Sequence, residues 1–391
     1  MRVTHVITRL IVGGAQENTV ASVLGLRCRP NLEVHLVSGR TSGPEGTLEP
    51  RVAAVPDLLT IVPELVRPVH PWKDALALRR LIALFRARPP DIVHTHSGKA
   101  GILGRVAAHR AGVPVIVHTI HGPSFGPFQN PFANALFLAA ERHAGRFTTH
   151  FVTVARAMTE QYLVAGIGRP TQYTRIFSGF PIDPFLRARR DEDFARQLGI
   201  GPGDFVVGTI ARLFKLKGHH DLFAVAPQLV KRCPQIKFLL VGDGPWRGRF
   251  QDAARAMDLC HHFIFAGLVP PADVPRYIGL MDALVHLSRR EGLPRALPQA
   301  MAAAKPVVAY DCDGAREVCL QDETGFLLAP GDLSALTERL VQLSRDGLLR
   351  QRLGRRGQQL ARQWFPVERM LEELFALYRK LVARVSAPPA R

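Results

Sequence analysis

Cysteine is scarce in this chain. Cys28, Cys233, Cys260, Cys312 and Cys319 are scattered, and no two form a CxxC pair. That excludes a zinc ribbon, a thioredoxin-type motif and a disulfide framework, and fits a reducing compartment. Long apolar runs are missing too. No stretch approaches the roughly 18 residues that span a bilayer, and His5 and Arg9 break the opening segment, so no secretory h-region is expected. Acidic residues fall short of basic ones, 33 Asp and Glu against 51 Lys and Arg, for a formal net charge of +18. A surplus of that size fits a nucleic acid, an acidic membrane surface or a phosphorylated substrate, or else an arginine-rich composition bias. No nucleic-acid motif or basic repeat accompanies it, so no nucleic-acid partner is expected. Tryptophan is rare, and Trp72, Trp246 and Trp364 are read as packing residues, not sugar platforms.

What is present is an ordinary globular composition, 47% hydrophobic over 391 residues. That length points to two domains. Short apolar runs alternate with helical patterns. Strands are expected at Val3–Ile7, Leu32–Val37, Asp91–His94, Val115–Thr119 and His150–Val154. A helix is expected over Trp72–Arg88, with an apolar stripe at Ala75, Leu78, Ile82 and Phe85. After a turn-rich stretch at Ser178–Asp183 and a charge run at Arg187–Asp193, a second series begins. Its strands are Phe205–Ile210, Lys237–Val241, His262–Ala266, Ala283–His286 and Pro306–Ala309, and Pro366–Val385 closes the chain as a helix. The expected fold class is therefore α/β: two Rossmann-like, doubly wound domains facing a central cleft. The expected boundaries are 1–182 for the first domain and 183–365 for the second. Residues 366–391 form a C-terminal helix and tail, with the helix packing back on the first domain.

Parallel α/β sheets bind ligands beyond the carboxyl ends of their strands, and that is where the chemistry-bearing residues fall. Arg212 and Lys217 follow the strand at 205, with Gly218 where a helix opens. A guanidinium can fork two phosphate oxygens and an ammonium adds a point charge, so the pair suits a diphosphate. A solvated basic loop is the plainer alternative. Glu291 follows the strand at 283 and leads into Gly292, Leu293 and Pro294. A carboxylate there can bond sugar hydroxyls while the turn offers backbone N–H groups to phosphate; the alternative is a helix-capping glutamate.

These segments, in this order, resemble glycosyltransferase family 4, retaining enzymes of the GT-B fold. The resemblance rests on Gly13-Gly14-Ala15-Gln16, His94-Thr95-His96-Ser97, His121-Gly122 and Ser178-Gly179-Phe180-Pro181-Ile182-Asp183. It continues through Arg212 with Lys217-Gly218, Val241-Gly242-Asp243-Gly244-Pro245, Glu291-Gly292-Leu293-Pro294, and Glu317 with Thr324-Gly325-Phe326. It spans nearly the whole chain. It implies that Arg212 and Lys217 hold the donor diphosphate, that Glu291 binds donor-sugar hydroxyls, and that His121 approaches the donor sugar. It further implies that Gly13 and Gly14 let backbone come near phosphate or acceptor, and that Gly242, Gly267 and Leu268 line the nucleotide. The family places a second glutamate eight positions after the first, on the ribose. Here that residue is Gln299, which offers one acceptor and one donor group without charge assistance.

The implied reaction is retaining transfer of a sugar from a nucleotide diphosphate sugar to a glycan or lipid-linked acceptor, in cell-surface polysaccharide or lipopolysaccharide-type synthesis. The donor is a co-substrate, and no cofactor or metal is expected. The expected location is the cytoplasm, with the anionic inner face of the cell membrane as a docking surface. Phe125, Phe128, Phe132 and Phe137, with Arg142, His143 and Arg146, and the basic helix over Trp72–Arg88 are the candidate contacts. Asp311-Cys312-Asp313 spells a DxD, read as a loop and not a metal site. Gly242-Asp243-Gly244 opens like a dinucleotide fingerprint, but Arg247 stands at the final glycine position. His94 and His96 are expected on opposite faces of their strand end, which argues against a metal pair. The rival readings are a nucleotide-sugar epimerase or hydrolase, a catalytically silent sugar-nucleotide sensor, and a nucleic-acid binder.

Overall fold

The computed structural model describes residues 1–43, 46–126 and 128–386, without the side chain of Ser386. The tail at 387–391 lies outside the described residues. The chain divides into two units, one of Met1–Phe180 with the segment from Val367 onward, the other of Pro181–Pro366.

The first unit is built on a seven-stranded, all-parallel sheet. Its strands are β1 (Arg2–Ile7), β2 (Glu33–Ser38), β3 (Leu59–Ile61), β4 (Ile92–His96), β5 (Val115–Ile120), β6 (His150–Thr153) and β7 (Tyr173–Arg175), in the order β3-β2-β1-β4-β5-β6-β7. The second carries six parallel strands: β8 (Phe205–Ile210), β9 (Ile236–Val241), β10 (Phe263–Gly267), β11 (Ala283–His286), β12 (Val307–Tyr310) and β13 (Gly325–Leu328). Their order is β10-β9-β8-β11-β12-β13. Each unit thus has the Rossmann strand order, with one switch point between β1 and β4 and another between β8 and β11.

The central strands are covered on both faces, so they read as near-continuous apolar runs. All six residues of β5 are buried, as are all four of β11. β3, β7 and β13 were not expected. They are edge strands of three or four residues, too short to display an alternation.

The helix expected from Trp72 runs Pro71–Ala87, with the His70 side chain accepting from Lys73 N–H at its start. Its buried stripe is Ala77, Leu81 and Phe85, and Ala75 is exposed. The i, i+4 row, and not the row through Ala75, faces the sheet.

The last helix, Val367–Ser386, belongs to the first unit. It seats Met370, Leu371, Leu374, Leu377, Tyr378 and Leu381 among Val3, Ile7, Val23 and Leu26. Their three-and-four spacing is one helical face, and each buried leucine contributes about 1.5–3 kcal/mol.

Candidate active site

In the second unit, the loops after β8 and β11 leave neighbouring strands at the switch point. They are stitched together: Arg289 N–H donates to the Leu216 carbonyl at 3.0 Å, and the Ser288 hydroxyl to the same oxygen at 3.2 Å. Gly218 makes the approach possible. It sits at φ 70°, and a Cβ there would lie 1.9 Å from the Leu287 carbonyl oxygen. Only glycine meets both conditions.

This stitching brings Lys217, in the turn Lys215–Lys217, into an ion pair with Glu291. The Glu291 side chain is 17% exposed and also accepts from His286 Nε2 at 3.2 Å. Burial opposes its ionisation, yet the Lys217 ammonium and His286 outweigh that and hold the carboxyl well below the usual carboxylate range. Arg212 stands exposed on the same loop, its guanidinium 5.4 Å from the centre of the Phe214 ring.

The other donor-side residues expected in the second unit lie on neighbouring turns and one short helix. Gly242 follows β9 at φ 131°, and its N–H donates to Gly267, the last residue of β10, at 2.8 Å. A Cβ on Gly242 would meet the Ala211 carbonyl oxygen at 2.2 Å, so this turn also holds the start of the Arg212 loop. Leu268 is 53% exposed. Gly292 and Pro294 are buried, Leu293 partly so, and Gln299 is partly buried on the helix Ala296–Ala302.

The DxD carboxylates both have protein partners. Asp313, at φ 49°, accepts from the Glu291 N–H at 2.8 Å, and Gly314 N–H donates to the Gly292 carbonyl at 3.0 Å. Asp311 pairs with Arg316 at 2.8 Å. Asp313 therefore shapes the Glu291 turn.

In the first unit, Gly13 caps the helix Gly14–Arg27 and brings no side chain to its first turn. A Cβ on Gly14 would meet nothing within 4 Å. His121 follows β5, partly buried, and burial lowers its pKa to about 4. Its loop is anchored from below. The Ser124 hydroxyl donates to Glu141 at 2.8 Å, and Glu141 is paired with Arg105 at 2.5 Å, both fully buried.

His94 and His96 do not point to opposite faces. Residues two apart on a strand share a face, and their rings stack with centroids 4.4 Å apart. His5, on the neighbouring strand β1, joins them, and one ligand atom from each of the three lies within 4.8 Å of the others. These nitrogens already exchange hydrogen bonds. His5 Nδ1 lies 2.9 Å from His96 Nε2, and both His94 nitrogens are engaged, by Tyr378 and Thr119. The metal-like spacing is that of a hydrogen-bonded cluster.

Two family profiles match the chain, one for each unit: "Glycosyl transferase 4-like domain" over residues 13–177 and "Glycosyl transferases group 1" over 190–360. The chain belongs to glycosyltransferase family 4. It is 30% identical to EpsD of Bacillus subtilis over 303 residues, 74% of this chain and 76% of that protein. It is 27% identical over 356 residues to the Escherichia coli UDP-Gal:alpha-D-GlcNAc-diphosphoundecaprenol alpha-1,3-galactosyltransferase, 89% of each chain. Among solved structures, Anabaena Alr3699/HepE in complex with UDP-glucose matches with a TM-score of 0.81 at 21% identity, over 97% of this chain and 100% of that one. The fold is GT-B, and the chain is a glycosyltransferase of polysaccharide or glycan synthesis.

Several residues of this glycosyltransferase escaped the sequence reading. His286 closes β11 and bonds Glu291. His219, first residue of the helix His219–Arg232, is 2% exposed, and neither ring nitrogen has a hydrogen-bond partner among the described residues. Burial, with lesser repulsion from His286 and Lys217, lowers its pKa to about 3. His5 and Tyr378 reach the histidine cluster from opposite ends of the chain. The available signal was the set of histidines inside otherwise apolar strands, since a buried polar group needs a partner.

Proposed function

We propose that the chain moves a sugar from a nucleotide diphosphate sugar to an acceptor hydroxyl, with retention, in the synthesis of a cell-surface polysaccharide or lipopolysaccharide-type glycan. The observation that carries this reading is the Lys217–Glu291 pair at the switch point of the second sheet, with exposed Arg212 on the same loop. A departing diphosphate needs cations, and a sugar ring needs a carboxylate that accepts from its hydroxyls. Without donor, Lys217 and Glu291 neutralise each other. A donor that brings phosphate to Lys217 and hydroxyls to Glu291 exchanges one ion pair for two charge-assisted contacts. Arg212 and Lys217 then stabilise the leaving group, and the acceptor hydroxyl attacks from the face that the diphosphate leaves. Gln299 is assigned to the ribose, Gly267 and Leu268 to the base, Gly242 and Gly292 to Pro294 to the phosphates and sugar, Gly13 and Gly14 to phosphate or acceptor, and His121 to the donor sugar. No metal takes part. The Escherichia coli galactosyltransferase, which takes UDP-Gal and a GlcNAc-diphosphoundecaprenol, and HepE in complex with UDP-glucose support a UDP-linked donor and a lipid diphosphate acceptor.

A screen of UDP-, GDP- and ADP-sugars for thermal protection tests the donor. A ligand at a hundred times its Kd raises stability by about 2.7 kcal/mol. Nucleotide diphosphate release that requires acceptor supports transfer. Equal release without acceptor, or formation of an epimer, refutes it.

The proposed location is the cytoplasm, docked on the anionic inner membrane face. No helix among the described residues is long and apolar enough to cross a membrane. The helix Pro71–Ala87 exposes Trp72 and Leu76 beside Lys73, Arg79 and Arg80, and the helix Pro131–Gly145 exposes Phe132, at 82%, and Leu136. Phe125 instead packs its ring 5.1 Å from Tyr162. Each cation near anionic lipid adds about 1 kcal/mol. Co-sedimentation with anionic vesicles that salt reverses is the expected result, and equal recovery in the supernatant with anionic and neutral vesicles refutes docking.

A further inference from the structure

Behind His121 runs an unbroken line of side chains. Thr119 Oγ1 lies 2.6 Å from His94 Nε2, and His94 Nδ1 meets the Tyr378 hydroxyl. That hydroxyl lies 3.4 Å from His5 Nε2, His5 Nδ1 lies 2.9 Å from His96 Nε2, and His96 Nδ1 lies 3.2 Å from His121 Nε2. All but His121 are at most 4% exposed. Burial lowers the pKa of every histidine in the line, His5 to about 3, so the rings are neutral at working pH.

A neutral imidazole has one donor nitrogen and one acceptor nitrogen. The direction of one bond therefore sets the direction of all. Thr119 settles it. His94 is the only partner of its hydroxyl among the described residues, and a buried O–H without an acceptor costs about 1–3 kcal/mol. Thr119 thus donates to His94, His94 to Tyr378, Tyr378 to His5, His5 to His96, and His96 to His121 Nε2. The proton of neutral His121 must then sit on Nδ1.

We propose that His5, His94 and His96, started by Thr119 and linked through Tyr378 of the last helix, are positioning residues that fix His121 as the Nδ1–H tautomer, a hydrogen-bond donor to an oxygen of the donor sugar. The final contact rests on the reading of His121 given above; the tautomer does not. A histidine so held keeps one orientation and one protonation state as substrates come and go.

The test uses the full chain, labelled with 15N-histidine, in long-range 1H–15N spectra, with His121→Gln assigning the ring. Wild type and Thr119→Ser are expected to show His121 protonated on Nδ1. Thr119→Val and Tyr378→Phe, each removing one hydroxyl at nearly constant shape, are expected to give a mixture of tautomers. In both, kcat falls about fivefold, one hydrogen bond's worth, with KM nearly unchanged. Two variants at separate points of the line, its start and its middle, guard against a folding failure in either. A wild-type His121 protonated on Nε2, or a tautomer that neither variant moves, overturns the proposal. So does stoichiometric zinc in the purified protein that His5→Asn removes. Unchanged turnover in His121→Ala with the tautomer shifts intact supports the line and overturns only the donor-sugar contact.

Discussion

Acidification should loosen the first unit well before the second. His5, His94, His96 and His118 are at most 2% exposed. Burial holds all four neutral in the folded chain, His5 down to about 3 and the others well below the ordinary value. A base whose folded pKa lies below its unfolded value takes up its proton in the unfolded chain first. Stability is therefore intact above about pH 7 and is lost as pH falls through 6.5 toward the folded values. None of the four is protonated while folded, so the loss is set by the unfolded chain, where they titrate independently. Each then forfeits a little under about 1 kcal/mol at pH 6.0 and a little over that at pH 5.5. Four together forfeit about 3 and about 5–6 kcal/mol, against a typical domain stability of about 5–15 kcal/mol. The second unit carries one comparable histidine, His219, and forfeits a little under about 1 kcal/mol through it at pH 6.0. Hydrogen exchange read by mass spectrometry at pH 8 and pH 6, corrected for intrinsic rates, separates the two. Core amides of the first unit should lose at least about 250-fold in protection, more with partly buried His121 added, and those of the second about fourfold. Equal losses in the two units would refute the reasoning.

Arg212→Ala and Lys217→Ala should each lower kcat/KM about a hundredfold or more, an effect near 3 kcal/mol on the departing diphosphate; near-normal kinetics in a folded variant removes the clamp. Gln299→Ala should weaken nucleotide binding by about 1 kcal/mol in calorimetry, with Gln299→Glu tolerated or tighter; unchanged affinity in both removes the ribose assignment. Activity should survive EDTA, and Asp311→Ala should be mild, because its exposed pair with Arg316 is worth about 0–1 kcal/mol. Asp313→Ala should be worse, by about 1–2 kcal/mol in urea unfolding, since it loses the bond to Glu291 N–H and a residue suited to positive φ. Chelator-abolished activity that Mg²⁺ or Mn²⁺ restores would return the DxD to the metal reading.

β8 and β11 were legible to the residue, because apolar runs bounded by turn signals leave little choice of end. The edge strands were not, since their pairing comes from neighbours and not from their own few residues. Arg212, Lys217 and Glu291 could be picked from their place after strands. The contact between Lys217 and Glu291, 74 residues apart, depends on the strand order at the switch point, which no local pattern states. The His94–His96 expectation failed on the strand period itself, and with it went the cluster that His5 and Tyr378 complete. Those two are 373 residues apart, a closure that only the return of the last helix creates.

That return also fixes an order of assembly during synthesis. Residues 181–366 are a contiguous insertion, and everything the second unit needs leaves the ribosome in one stretch. The first unit starts earlier yet finishes later. Its sheet lacks the covering side chains of Leu371, Leu374, Tyr378 and Leu381 until the final segment emerges, and until then His94 and His5 lack the Tyr378 hydroxyl that joins them. A chain stopped by a premature codon near residue 366 would carry a completed second unit and an open-cored first one. Such a fragment is a substrate for proteolysis, and the nascent first half is the stretch most in need of a chaperone.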